Sequence, residues 1–240
     1  MKTAAIIPSA GIGKRMGFKK KPFISLAGRP ILAHTVAVFE GSPHIDALVL
    51  VVPKGDEDIC QEEIVGRFRY KKVIKIVSGG KERQDSVRAA LDSLSVSWDI
   101  VVVHDGVRPF VTPALIEGVI KEAKKTGCAI SAVPVKDTIK EVQDGTVRRT
   151  IPREPLWAVQ TPQAFKAEIL INAHKKAFED GFYSTDDSAI VEWLGYKVSV
   201  VEGLYENIKI TTPEDIMVGE ALLKGKEVGM NIKDASRLWV

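Results

Sequence analysis

Short apolar runs alternate with helix-patterned stretches through the first half of the chain, and this alternation constrains the fold more than any other feature. Thr3–Ile7, Ala47–Val52, Val73–Val77, Ile100–Val103 and Ala129–Val133 each read as a continuous run rich in valine, isoleucine, leucine or alanine. Strands covered on both faces have that character, because crossover helices bury a parallel sheet from either side. Helices fit the intervals at Pro30–Phe39, Asp56–Phe68, Asp85–Leu94 and Pro113–Lys125. Thr112 before Pro113 supplies an N-cap with proline at the first helical position, and Thr212-Pro213 opens a later helix to about Leu223 in the same way. The expectation is an α/β fold, a mostly parallel twisted sheet with flanking helices.

Lys136–Ile151 breaks the rhythm. Thr138–Val142 and Thr146–Ile151 flank Asp144-Gly145, a strong signal for a two-stranded hairpin, and no helix separates them. The ribbon, at about residues 136–152, should project from the main sheet as an arm. A lone two-stranded ribbon is marginal in water, and Ile139, Val142, Val147 and Ile151 give it apolar surface to cover. Residues 1–228 otherwise read as one domain, with 229–240 as a tail lacking a clear period.

The bulk properties exclude several classes. A formal charge of +3 is too small to suggest a nucleic-acid binder. Cys60 and Cys128 lie far apart, so no disulfide framework or zinc cluster is indicated, and His34, His44, His104 and His174 lack metal-ligand spacing. The apolar start meets Pro8 and then Gly11, Gly13, Lys14 and Arg15, too early for a signal peptide. No other stretch is long enough to span a bilayer. A cytoplasmic protein without a membrane partner is expected.

Candidate chemistry gathers where the strands end. The first strand runs into Pro8-Ser9-Ala10-Gly11-Ile12-Gly13-Lys14-Arg15-Met16-Gly17, at the carboxyl edge where α/β folds bind ligands. Glycines let backbone N–H groups approach phosphate, while Lys14, Arg15 and Lys21 can neutralise it. No GK[ST] follows a GxxxxG frame, and Met16 stands where a dinucleotide fingerprint needs glycine. A dehydrogenase is therefore disfavoured. The bland alternative is a glycine turn with solvated bases. Ser78-Gly79-Gly80-Lys81-Glu82-Arg83 is a second glycine turn, opening a helix that carries Ser86, and its amides could read a base. His104-Asp105-Gly106-Val107-Arg108-Pro109 ends the fourth strand. Asp105 there suits Mg²⁺ bridging phosphates and Arg108 an anionic substrate; the alternative is a structural Asp105–Arg108 pair. His104 reads as a packed residue. Thr185 reads as a cap for the following helix, and Lys209 as a lysine on a short strand.

Taken in order, these segments resemble the 2-C-methyl-D-erythritol 4-phosphate cytidylyltransferase family from Ala5 to about Leu223. The set includes Pro-Ser-Ala-Gly-Ile-Gly-Lys-Arg-Met, Gly-Gly-Lys-Glu-Arg-Gln-Asp-Ser-Val, Val-His-Asp-Gly-Val-Arg-Pro-Phe, Pro-Val-Lys-Asp-Thr, Gln-Thr-Pro-Gln-Ala-Phe, Thr-Asp-Asp, Val-Glu-Gly and Asn-Ile-Lys-Ile-Thr. The resemblance implies a Rossmann-like nucleotidyltransferase fold, CTP and a polyol phosphate as substrates, Mg²⁺ as cofactor, and a homodimer through the arm. It implies that Arg15 and Lys21 stabilise the transition state, Lys20 being the alternative lysine. Pro22-Phe23 follows Lys21 as in the family's register. Ala10, Gly11, Gly13, Lys14, Gly79, Gly80, Arg83 and Ser86 would bind CTP. Asp105 would hold the metal, and Arg108, Thr138, Arg153, Thr185 and Lys209 the second substrate. Ser9 departs from the alanine usual in the family. The rivals are a ribitol-5-phosphate cytidylyltransferase, a sugar-1-phosphate nucleotidyltransferase and a non-catalytic nucleotide sensor.

Overall fold

In the computed structural model, which describes residues 1–11, 21–94 and 97–227, all five apolar runs become strands of one seven-stranded sheet. The chain runs β1 (Thr3–Pro8), a small ladder of β2 (Ser25–Leu26) and β3 (Arg29–Pro30), α1 (Ile31–Gly41), β4 (Ala47–Val52), α2 (Glu57–Cys60), β5 (Val73–Ser78), α3 (Arg83–Ser93), β6 (Ile100–Val103), α4 (Pro113–Thr126) and β7 (Cys128–Pro134). It continues through β8 (Ile139–Gln143), β9 (Thr146–Ile151), β10 (Trp157–Lys166), α5 (Ala167–Glu179), α6 (Asp187–Trp193), β11 (Ser199–Glu202) and α7 (Pro213–Glu227). The sheet order is β11-β7-β10-β6-β1-β4-β5, and every neighbouring pair is parallel except those made by β10.

Alternate side chains of the central strands enter two separate cores. Ile7, Leu48, Leu50 and Val102 pack with Leu32, Val36 and Phe39 of α1 and Ile116 and Val119 of α4. Ile6, Val49, Val51, Val101 and Val103 pack on the other face with Val87 and Leu91 of α3 and Leu170 of α5. That is why these strands show no polar alternation. Each fully buried aliphatic side chain contributes about 1.5–3 kcal/mol, so both faces anchor the strand ends that carry the site. Thr112 caps α4 as expected, its hydroxyl accepting from the Leu115 N–H at 3.2 Å.

The structure corrects several expectations. β5 is an edge strand rather than one buried on both faces, and its Ile74 is exposed. The helix expected over Asp56–Phe68 is interrupted: α2 ends at Cys60 and Gln61–Gly66 forms a wider turn. The sequence reading did not see β10, the long antiparallel strand between β6 and β7. Proline argues against a central strand because it donates no ladder hydrogen bond. Here Pro162 falls inside a register shift between Val159 and Gln163, so the ladder continues around it.

The hairpin forms as expected, β8 and β9 pairing in a two-stranded sheet of their own with Asp144 and Gly145 both at positive φ. Its apolar residues do not share one face. Ile139 pairs with Ile151 and Val142 with Val147, and a bulge separates the two pairs. Both Arg148 and Arg149 reach Glu141, as a bulge that turns consecutive side chains the same way allows. The exposed valines therefore lie opposite the isoleucines, beside Lys140 and Thr150.

Candidate functional site

The carboxyl ends of β1, β4, β5 and β6 are tied to one another by backbone hydrogen bonds. Ser9 N–H donates to Val51 O at 2.7 Å, Gly79 N–H to Val52 O at 2.8 Å and Gly106 N–H to Pro8 O at 3.1 Å. The two glycine loops consequently touch. A Cβ on Gly79 would stand 2.1 Å from the Ala10 Cβ and 2.9 Å from the Ser86 hydroxyl, so only glycine permits this approach. Ser86 is buried and works within its own turn, accepting from Gly80 N–H at 3.2 Å and donating to Glu82 O at 3.1 Å. A hydroxyl has two lone pairs, so one remains to accept from a base amino group. Ala10, Gly79, Gly80 and Ser86 are thus brought together beside the exposed Gly11. Gly13, Lys14 and Arg15 lie outside the described residues. The Lys21 backbone opens a short helical turn, Lys21–Phe23, whose Phe23 packs against the core under α1.

A cavity of about 400 Å³ opens beyond the end of β6. Arg83, Asp105, Arg108, Thr185 and Lys209 line it, together with Gln163 and Asp186. Asp105 is its buried hub: Lys209 Nζ lies 2.9 Å from the carboxylate, Arg83 Nε 3.4 Å and Arg108 Nε 3.4 Å. Burial pushes the Asp105 carboxyl up, but Lys209, Arg83 and Arg108 outweigh it and hold the group far below the usual carboxylate range. Its charge is therefore present at neutral pH, and the stability it adds is lost only as pH falls through that depressed value. The Asp105–Arg108 pair, the alternative to a metal role, exists as part of a three-cation cluster around one carboxylate, and Asp186 and Glu192 also line the cavity.

Each cation has its own support. Arg108 Nη1 donates to Asn207 O at 2.8 Å, and Asn207 in turn donates to Thr161 O at 2.8 Å and Gln160 at 3.2 Å. Arg83 Nη1 meets Asp187 at 2.7 Å. Lys209 is on an extended loop rather than the expected short strand; Ile210 N–H, next along, donates to Val107 O at 2.9 Å and holds that loop against the Asp105 turn. Thr185 is not the helix cap. Asp186 caps α6, accepting from Ala189 N–H at 3.1 Å, which leaves Thr185 to line the cavity. His104 is packed as expected, fully buried between Thr161 and Arg108 O at 3.1 Å each. Burial draws its pKa down to about 4, so it is neutral at physiological pH.

Thr138 and Arg153 are exposed at the base of the arm, away from the residues lining this cavity, with Arg153 donating to Lys136 O. Within one chain the structure does not bring them to Asp105. The sequence reading gave no role to Asp187, Asn207 or Thr161, although the runs Thr185–Asp187, Gln160–Gln163 and Asn207–Lys209 marked their neighbourhoods.

Comparison with known proteins places this arrangement. The family model described as 2-C-methyl-D-erythritol 4-phosphate cytidylyltransferase (IspD) matches residues 3–225. This chain belongs to that family. A curated cytidylyltransferase of this name from Desulforamulus reducens is 52% identical over 222 residues, covering 92% of this chain and 95% of that one. Another from Halalkalibacterium halodurans is 49% identical over 230 residues, covering 95% and 99%. Among solved structures, the 4-diphosphocytidyl-2C-methyl-D-erythritol synthase of Anaerococcus prevotii superposes with a TM-score of 0.82 at 36% identity, covering 93% of this chain and 96% of that one. Membership of the cytidylyltransferase family fixes the Rossmann-like nucleotidyltransferase architecture and makes the chain a nucleotidyltransferase.

Proposed function

We propose that the chain transfers CMP from CTP to 2-C-methyl-D-erythritol 4-phosphate, giving 4-diphosphocytidyl-2-C-methyl-D-erythritol and pyrophosphate, a step of non-mevalonate isoprenoid synthesis. Family membership over residues 3–225 supports the substrate pair. The geometric observation that carries the reading is the cavity in which Arg83, Arg108 and Lys209 converge on buried Asp105.

The chemistry follows from those charges. An oxygen of the substrate phosphate attacks the α-phosphorus of CTP; the bond to the β-phosphate oxygen breaks, and pyrophosphate leaves with its electron pair. A phosphate monoester loses its second proton near pH ~6, so the nucleophile arrives anionic and needs no general base. Neutral, buried His104 agrees with that. The work left to the protein is alignment and charge stabilisation, which glycine amides, arginines and lysines perform without proton transfer. Lys209, with Arg108 and Thr185 beside it and Arg153 reaching in from a second subunit, holds the polyol phosphate, while Gly79, Gly80 and Ser86 read the cytosine and Arg83 faces the triphosphate. Arg15 and Lys21 act at the α-phosphate.

Magnesium is part of this proposal. Among the described residues no group of three or more His, Cys, Asp or Glu side chains is placed to hold a metal. Mg²⁺ ordinarily takes one or two carboxylates plus substrate phosphates; Asp105 is the candidate carboxylate, and the ion would have to displace Lys209, Arg83 or Arg108 from it. Bound there with CTP, the ion would neutralise the triphosphate and ease departure of pyrophosphate. Replacing Asp105 with Asn keeps the shape and removes the charge. Activity should drop by about 10–100-fold, the scale seen when a metal site loses a partner, and the magnesium needed for half-maximal rate should rise. An unchanged magnesium requirement would leave Asp105 only the task of gathering the three cations.

The proposal further includes a homodimer through the β8–β9 arm and a cytoplasmic location. Among the described residues no helix is long and apolar enough to cross a membrane. Pyrophosphate release tests the substrate assignment, with each nucleoside triphosphate crossed against methylerythritol, ribitol and sugar phosphates. CTP with methylerythritol 4-phosphate should exceed every other pairing by far. Preference for ribitol 5-phosphate, or for UTP with a sugar 1-phosphate, overturns it.

A further inference from the structure

Behind the cavity wall, Arg83 is backed by two buried side chains that do not themselves line the cavity. Arg83 opens α3 and lines the cavity, with its Nε turned to Asp105 at 3.4 Å and its Nη1 to Asp187 at 2.7 Å. Asp187, the first residue of α6, is fully buried, and its second oxygen lies 3.0 Å from Nε2 of His174 on α5. His174 is buried too, and neither residue lines the cavity. We infer that Asp187 is a positioning residue: backed by His174, it holds the Arg83 guanidinium so that this cation faces Asp105 and the bound substrates.

The geometry supports this in three ways. A guanidinium is planar, so contacts at Nε and Nη1 together fix its plane, whereas one contact would leave it free to rotate. The two anchoring carboxylates come from the turn after β6 and from the start of α6, so Arg83 is set against two other elements rather than against its own helix. Lastly, a buried ion pair adds little net stability compared with an apolar pair of the same volume, so stability alone does not account for one placed against the cavity. Arg83 is the one residue of the chain Arg83–Asp187–His174 that meets the cavity, so Asp187 influences substrate through it. The inference rests on the reading that this cavity receives phosphate groups.

The test is a double-mutant cycle on kcat/KM with CTP and methylerythritol 4-phosphate. Asp187→Asn preserves shape, and its carbonyl still accepts from one donor, but the charge that fixes Arg83 is gone. The expected loss is about 10–100-fold, falling mainly on KM, because a loosened binding cation weakens ground and transition states alike. In an Arg83→Ala background the same substitution should cost nothing further, since nothing remains to be positioned. A merely structural Asp187 would instead give losses that add. Wild-type kcat/KM in Asp187→Asn, or additivity with Arg83→Ala, overturns the inference. Should Asp187→Asn fail to fold, the cycle is repeated with His174→Ala, which removes one donor from Asp187 and leaves the Arg83 contact. Its loss should be smaller and should vanish in the Arg83→Ala background; additivity there overturns the inference equally. A wild-type protein inactive with this substrate pair refutes the functional reading itself. An active wild type with an additive cycle refutes the positioning role alone.

Discussion

Lys21→Ala should lower kcat by about 10²–10³, the usual cost of removing one donor aimed at developing charge. The in-line displacement places extra negative charge on the oxygens around the α-phosphorus, and a cation held there stabilises the transition state more than the ground state. Lys21 is suited to be that cation because its backbone is fixed. It opens the turn Lys21–Phe23, and Phe23 packs against the core that also contains Leu32 and Val36 of α1. Thermal stability should hardly change, since Phe23, which anchors this turn to the core, is left in place. Loss confined to KM would assign Lys21 to ordinary substrate binding. A larger defect in Lys20→Ala would move the catalytic lysine by one position.

The strands β1, β4, β6 and β7 were legible in the sequence because each is buried on both faces. Ile6 and Ile7 enter different cores, as do Val49 and Leu50, so a continuous apolar run was the correct signature. The signal weakened wherever a strand lost one of its neighbours. β5 carries Lys75 and exposed Ile74 because it closes the sheet. β10 escaped notice for a different reason. Its run Trp157–Lys166 mixes glutamines, Thr161 and Pro162 with apolar residues, because its middle turns toward the cavity while its ends pair.

For the site, position in the chain told which side chains stand at the carboxyl edge, and Arg83, Asp105, Arg108, Thr185 and Lys209 do line one cavity. What supports them could not be read. The contact of Arg83 with Asp187 joins residues far apart in sequence, and Thr185-Asp186-Asp187 looks like an ordinary cap until α6 is packed against α5 and its Asp187 meets Arg83 of α3. On the arm, Ile139 and Val142 stand three residues apart and so face opposite ways, whereas the bulge in β9 turns Val147 and Ile151 apart although their spacing alone would put them on one face.

That arm carries the other large effect, recovery of activity from two inactive variants. Thr138 and Arg153 sit at its base, exposed and away from the lining of their own chain's cavity, although the family resemblance assigns them to the polyol phosphate. Both facts agree if each arm serves the other subunit's site. The arm also exposes Val142 and Val147, and nearby Trp157 and Val159 of β10 are exposed as well, so exchange across a two-fold axis would cover apolar surface on both copies. The experiment mixes Lys21→Ala with Arg153→Ala, each inactive alone, and allows subunits to exchange. With Arg153 acting on its partner's site, a mixed dimer has one intact site and one doubly damaged site. Random pairing makes about half the dimers mixed, so roughly a quarter of wild-type activity should return. If Arg153 serves its own subunit, every site stays singly damaged and mixing restores nothing. A monomer in sedimentation at working concentration would end the proposal before any mixing, because Arg153 would then have no second cavity to reach.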